Sequence, residues 1–212
     1  MYDFIPAEEK HLDQIVPLLM TTGYYEMGLK NNLCNMSSHD FMSKFIAKPY
    51  LSFTTVAVKR SDHNSVIGVI VYGSKIDINS IPTHINSMDP KVATYFENFS
   101  THEISEGYHI SFLAVSKAYR GQGIAQELMR LAEEKSKKAG YDTISLYTFG
   151  CQTSSIKFYI KMGMMPVDSF ILSKELKFPL VLYFEKSTQL VQLSDYFETE
   201  EYRKMIGDYE TP

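Results

Sequence analysis

Arg120, Gly121, Gln122 and Gly123 form a basic, glycine-containing turn between an apolar run ending at Val115 and a long amphipathic pattern opening at Ile124. A helix starts with backbone N–H groups that have no intrahelical partner, and the partial positive charge at that end attracts anions. Glycines let a ligand approach the backbone closely, and Arg120 adds a fixed charge suited to a phosphate oxygen. A pyrophosphate fits such a turn; the alternative is a glycine turn that merely leads into a surface helix. A P-loop would need Gly-Lys-Ser/Thr after a glycine and four residues, and no such run occurs. The dinucleotide fingerprint G-x-G-x-x-G fails at Gln126, and the following strand lacks a closing acid. Arg/Gln-x-x-Gly-x-Gly/Ala is matched by Arg120, Gly123 and Ala125.

The elements that position this turn belong to a chain of 212 residues, 44% hydrophobic, long enough to bury a substantial core. A formal charge of -4 supplies no general attraction to nucleic acid or to an anionic membrane. The N-terminal "MYDFIPAEEK" lacks the layout of a signal peptide, and no stretch has the length and apolarity of a membrane span. Cys34 and Cys151 are too few for a disulfide framework and have no metal-ligand spacing, so a reducing, cytoplasmic setting without a metal is expected.

Leu12, Ile15, Val16 and Leu19 recur at helical spacing within 9–21, and a second helix from Ser38 should bury Phe41 and Phe45. "SFTTVAVKR" and "SVIGVIVYGS" read as a hairpin turning at "SDHNS". The long connection from Gly73 to Gly107 holds a candidate helix with Asp89 as N-cap and Pro90 at its first position. The strand "YHISFLAV" and the turn follow, then a helix presenting Ile124, Leu128, Leu131 and Ala132, supported by Glu133/Lys137 and Glu134/Lys138 pairs and ended by Gly140. "DTISLYTF" is a strand, 154–162 a short helix closed by Gly163, and "SFILS" and "LVLYFEK" are further strands. The pattern is α/β with a mixed sheet.

Two stretches resemble the GNAT superfamily of acetyl-CoA-dependent N-acyltransferases. "LAVSKAYRGQGIAQELM" is similar to the family's strand, pyrophosphate turn and helix, and "QTSSIKFYIKMGM" to its Asn-x-x-Ala-x-x-x-Tyr-x-x-x-Gly-Phe element. Gln152 stands where the family has asparagine, Ser155 where it has alanine and Met164 where it has phenylalanine; Tyr159 and Gly163 match. The resemblance implies one domain over 1–212, with an insertion at 74–107 and an extension from about 187, built on a splayed mixed sheet with flanking helices. It implies that acetyl-CoA enters the splay along Leu113, Ala114 and Val115, and that its pyrophosphate meets Arg120, Gly121, Gln122, Gly123, Ile124 and Ala125. Gln152 and Ser155 would be further cofactor contacts.

Acetyl transfer to an amine needs a base, an oxyanion donor and a proton for the departing thiolate. Tyr159 matches the family's general acid, and the Leu113 N–H would meet the oxyanion. His109 is the candidate base: it lies four residues before Leu113, on the same face of an unbroken strand, and serotonin N-acetyltransferase is similar there. Glu103 and Glu106 are alternatives. Cys151 would suit a covalent route but has no neighbouring histidine in sequence. Tyr24, Tyr25, Met27, Tyr95, Phe96 and Phe99 could line the site of a small-molecule or peptide amine; aromatics at such spacing are also ordinary core. The C-terminal segment could cover the sheet or reach a second copy, which leaves a homodimer open. The alternative to an enzyme is a CoA-binding sensor or interaction module without transfer activity.

Overall fold

The computed structural model describes residues 1–22, 37–74, 107–171 and 180–188. The helix expected near Asp89, the C-terminal helix, and residues Tyr24, Tyr25, Met27, Cys34, Tyr95, Phe96, Phe99, Glu103 and Glu106 lie outside these. So do the insertion and most of the extension.

One seven-stranded sheet organises the described chain. Its strands are β1 (Tyr2–Pro6), β2 (Thr54–Lys59), β3 (Asp62–Ser74), β4 (Tyr108–Val115), β5 (Thr143–Phe149), β6 (Met165–Ile171) and β7 (Leu180–Ser187), in spatial order β1-β2-β3-β4-β5-β7-β6. Only β4 and β5 pair in parallel; the other neighbours are antiparallel. The helices are α1 (Leu12–Leu19), α2 (Ser38–Phe41, extended by π-helical turns over Met42–Ala47), α3 (Ile124–Lys138) and α4 (Thr153–Lys161).

Each sheet face has its own core. On one, Ile15, Val16 and Leu19 of α1 with Phe41 and Met42 pack on Val56, Val58, Val69, Val71, Phe112 and Ala114. On the other, Ile124, Leu128, Met129 and Ala132 of α3 and Tyr159 of α4 pack on Ile70, Tyr72, Ile110, Val115, Ile144, Leu146 and Phe184. Full burial of one such aliphatic side chain is worth about 1.5–3 kcal/mol, so this two-sided packing holds the sheet central. Gly68 lets α3 come close: a Cβ there would lie 3.0 Å from Ile124 Cγ2 and 3.4 Å from Leu128 Cδ1.

Several elements differ from the sequence reading. β1 was not expected, because five residues ending in proline give alternation too short to separate from a loop. The β2–β3 turn is tighter, since Lys59 already pairs with Asp62. Ser37 caps α2: its hydroxyl accepts the Asp40 N–H at 3.1 Å and donates to the Asp40 carboxylate at 2.6 Å. On α3, Met129 is fully buried and Leu131 only half-buried. The expected pairs are replaced: Lys186 of β7 takes Glu133 at 2.7 Å, a tertiary pair, and Glu134 pairs within the helix with Arg130, four residues before it, which also takes Glu127. Lys186 wins because its pair is partly buried, where attraction is less screened than on an exposed helix face.

Gly68→Val should overpack the α3 contact and lower stability by about 1–3 kcal/mol, read as a lower urea midpoint at unchanged slope.

Candidate active site

The parallel contact between β4 and β5 is short. Tyr108, His109 and Ile110 pair with Ile144, Ser145 and Leu146, and no pairing follows. From Ser111 onward β4 pairs with β3 alone, so the two strands diverge into a gap. The backbone pattern shows which groups face it. Ser116 N–H donates to Ile67 O at 2.8 Å, which makes Val115/Gly68 a non-hydrogen-bonded antiparallel pair, and Leu113/Ile70 another two residues on. The N–H and C=O of Leu113 and Val115 therefore turn away from β3, into the gap. The Val115 carbonyl accepts a bond from Arg120 Nε at 3.0 Å. Ala114 instead pairs its backbone with Val69 and buries its methyl in the α1-side core.

At the open end of the gap stands the start of α3. Glu127 N–H makes the first helical bond, to Gly123 O at 3.0 Å, so the N–H groups of Ile124, Ala125 and Gln126 precede it. Gly121 and Gly123 have φ of 78° and 80°, the left-handed region that disfavours any Cβ. Among the described residues, a Cβ on either would meet no atom within 4 Å beyond its chain neighbours, so the turn leaves space there. Arg120 ties the turn to β4 through Nε. The Gln122 side chain accepts a bond from the Tyr2 hydroxyl of β1.

His109 and Tyr159 lie on opposite faces of the sheet, which corrects the expectation that His109 shares a face with Leu113. The β3–β4 register shifts between Val71 and Tyr72, pairing them with Phe112 and Ile110, so Ser111 is an extra residue. The bulge reverses the alternation. Leu113 packs with the α3-side core, whereas buried His109 faces the other side, with Nδ1 3.0 Å from Ser145 Oγ and its ring 5.3 Å from Tyr147. Tyr159 is buried on the α3 side, its ring 6.0 Å from Phe184. Burial pushes its phenol up to about 12.

A model of the acetyltransferase (GNAT) family matches residues 34–164, more than half the chain. The chain belongs to the GNAT acetyltransferase family. Among curated relatives, it is 36% identical over 61 residues to N-acetyltransferase family 8 member 2 of Rattus norvegicus, a match covering 29% of this chain and 27% of that protein. In fold it is similar to arylalkylamine N-acetyltransferase 2 of Aedes aegypti, with a TM-score of 0.64 at 16% identity over 89% of this chain and 99% of that one. It is also similar to a chain of the NatC complex bound to Gag peptide and CoA, with a TM-score of 0.57 at 18% identity, covering 88% and 98%.

In this GNAT chain the expected residues divide by position. Leu113, Val115, Arg120, Gly121, Gln122, Gly123, Ile124 and Ala125 line the gap and its open end. Gln152 directs its side chain to β5, accepting the Thr148 hydroxyl at 3.1 Å, and Ser155 is half-buried within α4. Met164 fills the α3-side core, the place an aromatic would take in the motif. Cys151 is exposed. Ser145, Tyr147, Tyr183 and Glu185 escaped the sequence reading. The polar positions alternating with Ile144, Leu146 and Phe184 were a signal that one face of these strands leaves the core.

The Tyr159 shift carries a stability signature. Its phenol is held protonated well above the unfolded value of about 10, so its contribution is full below that pH and is lost as pH rises towards 12. Stability should fall by about 2–3 kcal/mol over that window, and Tyr159→Phe should flatten the fall in urea titrations at pH 9 and 11.5.

Proposed function

We propose that this chain is an N-acetyltransferase that binds acetyl-CoA in the β4–β5 gap and passes the acetyl group to an amine. The observation that carries the reading is the gap itself, with backbone groups of Leu113 and Val115 turned into it and a left-handed glycine turn at its open end. Acetyl-CoA supplies an acetyl group activated as a thioester. Leu113 and Val115 offer N–H groups and the Leu113 carbonyl to the pantetheine amides, as an added strand would receive them. The N–H groups of Gln122, Gly123, Ile124 and Ala125, with the Arg120 guanidinium, hold the pyrophosphate.

His109 takes the proton of the acceptor ammonium, since an imidazole exchanges protons near neutrality. Ser145 Oγ, 3.0 Å from Nδ1, fixes the ring. Tyr159 serves the sulfur from the opposite face. With its phenol at about 12 against a reference thiol of about 8.5, full transfer to the thiolate is uphill, so the hydroxyl acts by donating a hydrogen bond. Arrival on one face and departure on the other follow from the Ser111 bulge. A CoA-binding sensor would use the same turn without the His109 and Tyr159 pair, and release of free thiol separates the two.

Titration calorimetry of Gly123→Val should show acetyl-CoA affinity lowered at least about tenfold, because the side chain enters the space over the turn. The left-handed φ adds a folding cost of about 1–2 kcal/mol, so melting is measured alongside. Wild-type affinity in the folded variant would remove the central claim.

The pH profile of kcat/KM, measured by thiol release with a weakly basic acceptor, should lose its acidic limb in His109→Gln. Persistence of the limb would move the base elsewhere.

A further inference from the structure

The turn before α3 places Gln122 between Gly121 and Gly123, both in the left-handed region, and glycines have the most backbone freedom to lose. Among the described residues, the backbone bonds of this stretch run out at Arg120, whose N–H donates to Lys117 O at 3.4 Å, and resume at Glu127. Left to its backbone alone, such a turn would present its N–H groups in many orientations. Side chains must therefore hold it.

Two do so. Arg120 Nε reaches the Val115 carbonyl at 3.0 Å and ties the near end to β4. The Gln122 side chain, which is exposed, accepts a hydrogen bond from the Tyr2 hydroxyl and ties the far end to β1. Packing seats Tyr2 for this task. It stands opposite Lys59 of β2, and the ring of Tyr119, from the 3-10 turn Lys117–Tyr119 that precedes Arg120, meets both. Tyr119 lies edge-on to Tyr2 at 6.4 Å between ring centroids, and the Lys59 ammonium is 4.9 Å from the Tyr119 centroid. Tyr2 and Tyr119 also pack against the α3-side core. Tyr2 thus grips the loop on both sides of Arg120 and Gly121, with its ring on Tyr119 and its hydroxyl on Gln122.

We infer that Tyr2 is a positioning residue for acetyl-CoA: through the Gln122 side chain, its hydroxyl sets the N–H groups of Gln122 and Gly123 before the pyrophosphate arrives. This rests on the acetyl-CoA reading above and adds to it a residue that never touches the ligand. A ligand that meets a preset turn orders less on binding, so affinity is gained without a new contact. The gain is confined to the pyrophosphate end, because the backbone edge at Leu113 and Val115 is set by pairing with β3.

The test compares the affinity of the full chain for acetyl-CoA, by calorimetry, with that for S-acetylpantetheine, by NMR titration; the second ligand keeps the thioester arm and lacks the pyrophosphate. Tyr2→Phe keeps the ring and removes the hydroxyl. Its acetyl-CoA affinity should fall about three- to tenfold, the range of one lost hydrogen bond, with S-acetylpantetheine affinity unchanged. Gln122→Ala should cause a similar loss, and the double variant should be no weaker than either single one, since both side chains act through one bond. Thermal melting reports whether each variant is folded. Wild-type acetyl-CoA affinity in folded Tyr2→Phe, an equal loss for both ligands, or additive losses in the double variant overturn the inference and leave acetyl-CoA binding standing. Where S-acetylpantetheine binds too weakly to measure, the double variant decides alone. If Tyr2→Phe does not fold, Gln122→Ala decides, and wild-type acetyl-CoA affinity there overturns the inference. Failure of the wild-type chain to bind acetyl-CoA overturns the acetyl-CoA reading, and this inference with it.

Discussion

The backbone of β4 after Ile110 has hydrogen-bonding groups on two edges and a strand on only one. Its β3 edge is paired to Val115, while its other edge loses β5 after three residue pairs. Backbone donors and acceptors inside a protein need partners, so a diverging pair of central strands is costly unless something else supplies them. Arg120 supplies one, capping the Val115 carbonyl. An extended ligand with amides of its own would supply the rest. The helix start at the open end gains its meaning from this interrupted ladder.

One extra residue then decides which side chains meet there. Without the bulge at Ser111, His109 would stand on the α3 side, the face of Ile144 and Leu146, where a charged imidazolium would have hydrocarbon around it. With it, His109 lies beside the hydroxyl of Ser145 and the ring of Tyr147, and Tyr159 keeps the α3 side to itself. Burial serves Tyr159 differently: a phenol kept neutral remains a hydrogen-bond donor throughout the physiological range. In the proposed reaction, proton removal and sulfur solvation are thus separated by the thickness of the sheet.

The same division extends over the outer strands. Hydrophobic packing and the Glu133–Lys186 pair clamp β5 and β7 to α3, which frees their other face to carry tyrosines and carboxylates. A rigid back supports a polar front. A site needing side chains within a fraction of an ångström of a working geometry gains from being built on paired strands whose spacing is set by backbone bonds.

Local pattern was enough for much of this. β4 spans Tyr108–Val115 as its β-branched and aromatic run indicated, and the turn before Ile124 was legible because glycine, arginine and an amphipathic run carry their reasons within a few residues. The resemblance to the GNAT superfamily rested on such short-range features, and the family match extends it over 34–164. What escaped were relations between strands. The face of His109 depends on a bulge defined only against β3. The Val115 carbonyl takes Arg120 rather than a ligand because the turn folds back on β4. The partner of Glu133 was set by Lys186 of β7, not by helical spacing, and Glu134 took the arginine four residues before it rather than the lysine four residues after. The row His109, Ser145, Glu185 spans residues far apart in the chain, brought together by strand order alone. Sequence determines which groups are present and the period with which they recur, because those follow from covalent order and local sterics. Which groups face one another is decided by register and packing, because these are settled by the whole core at once.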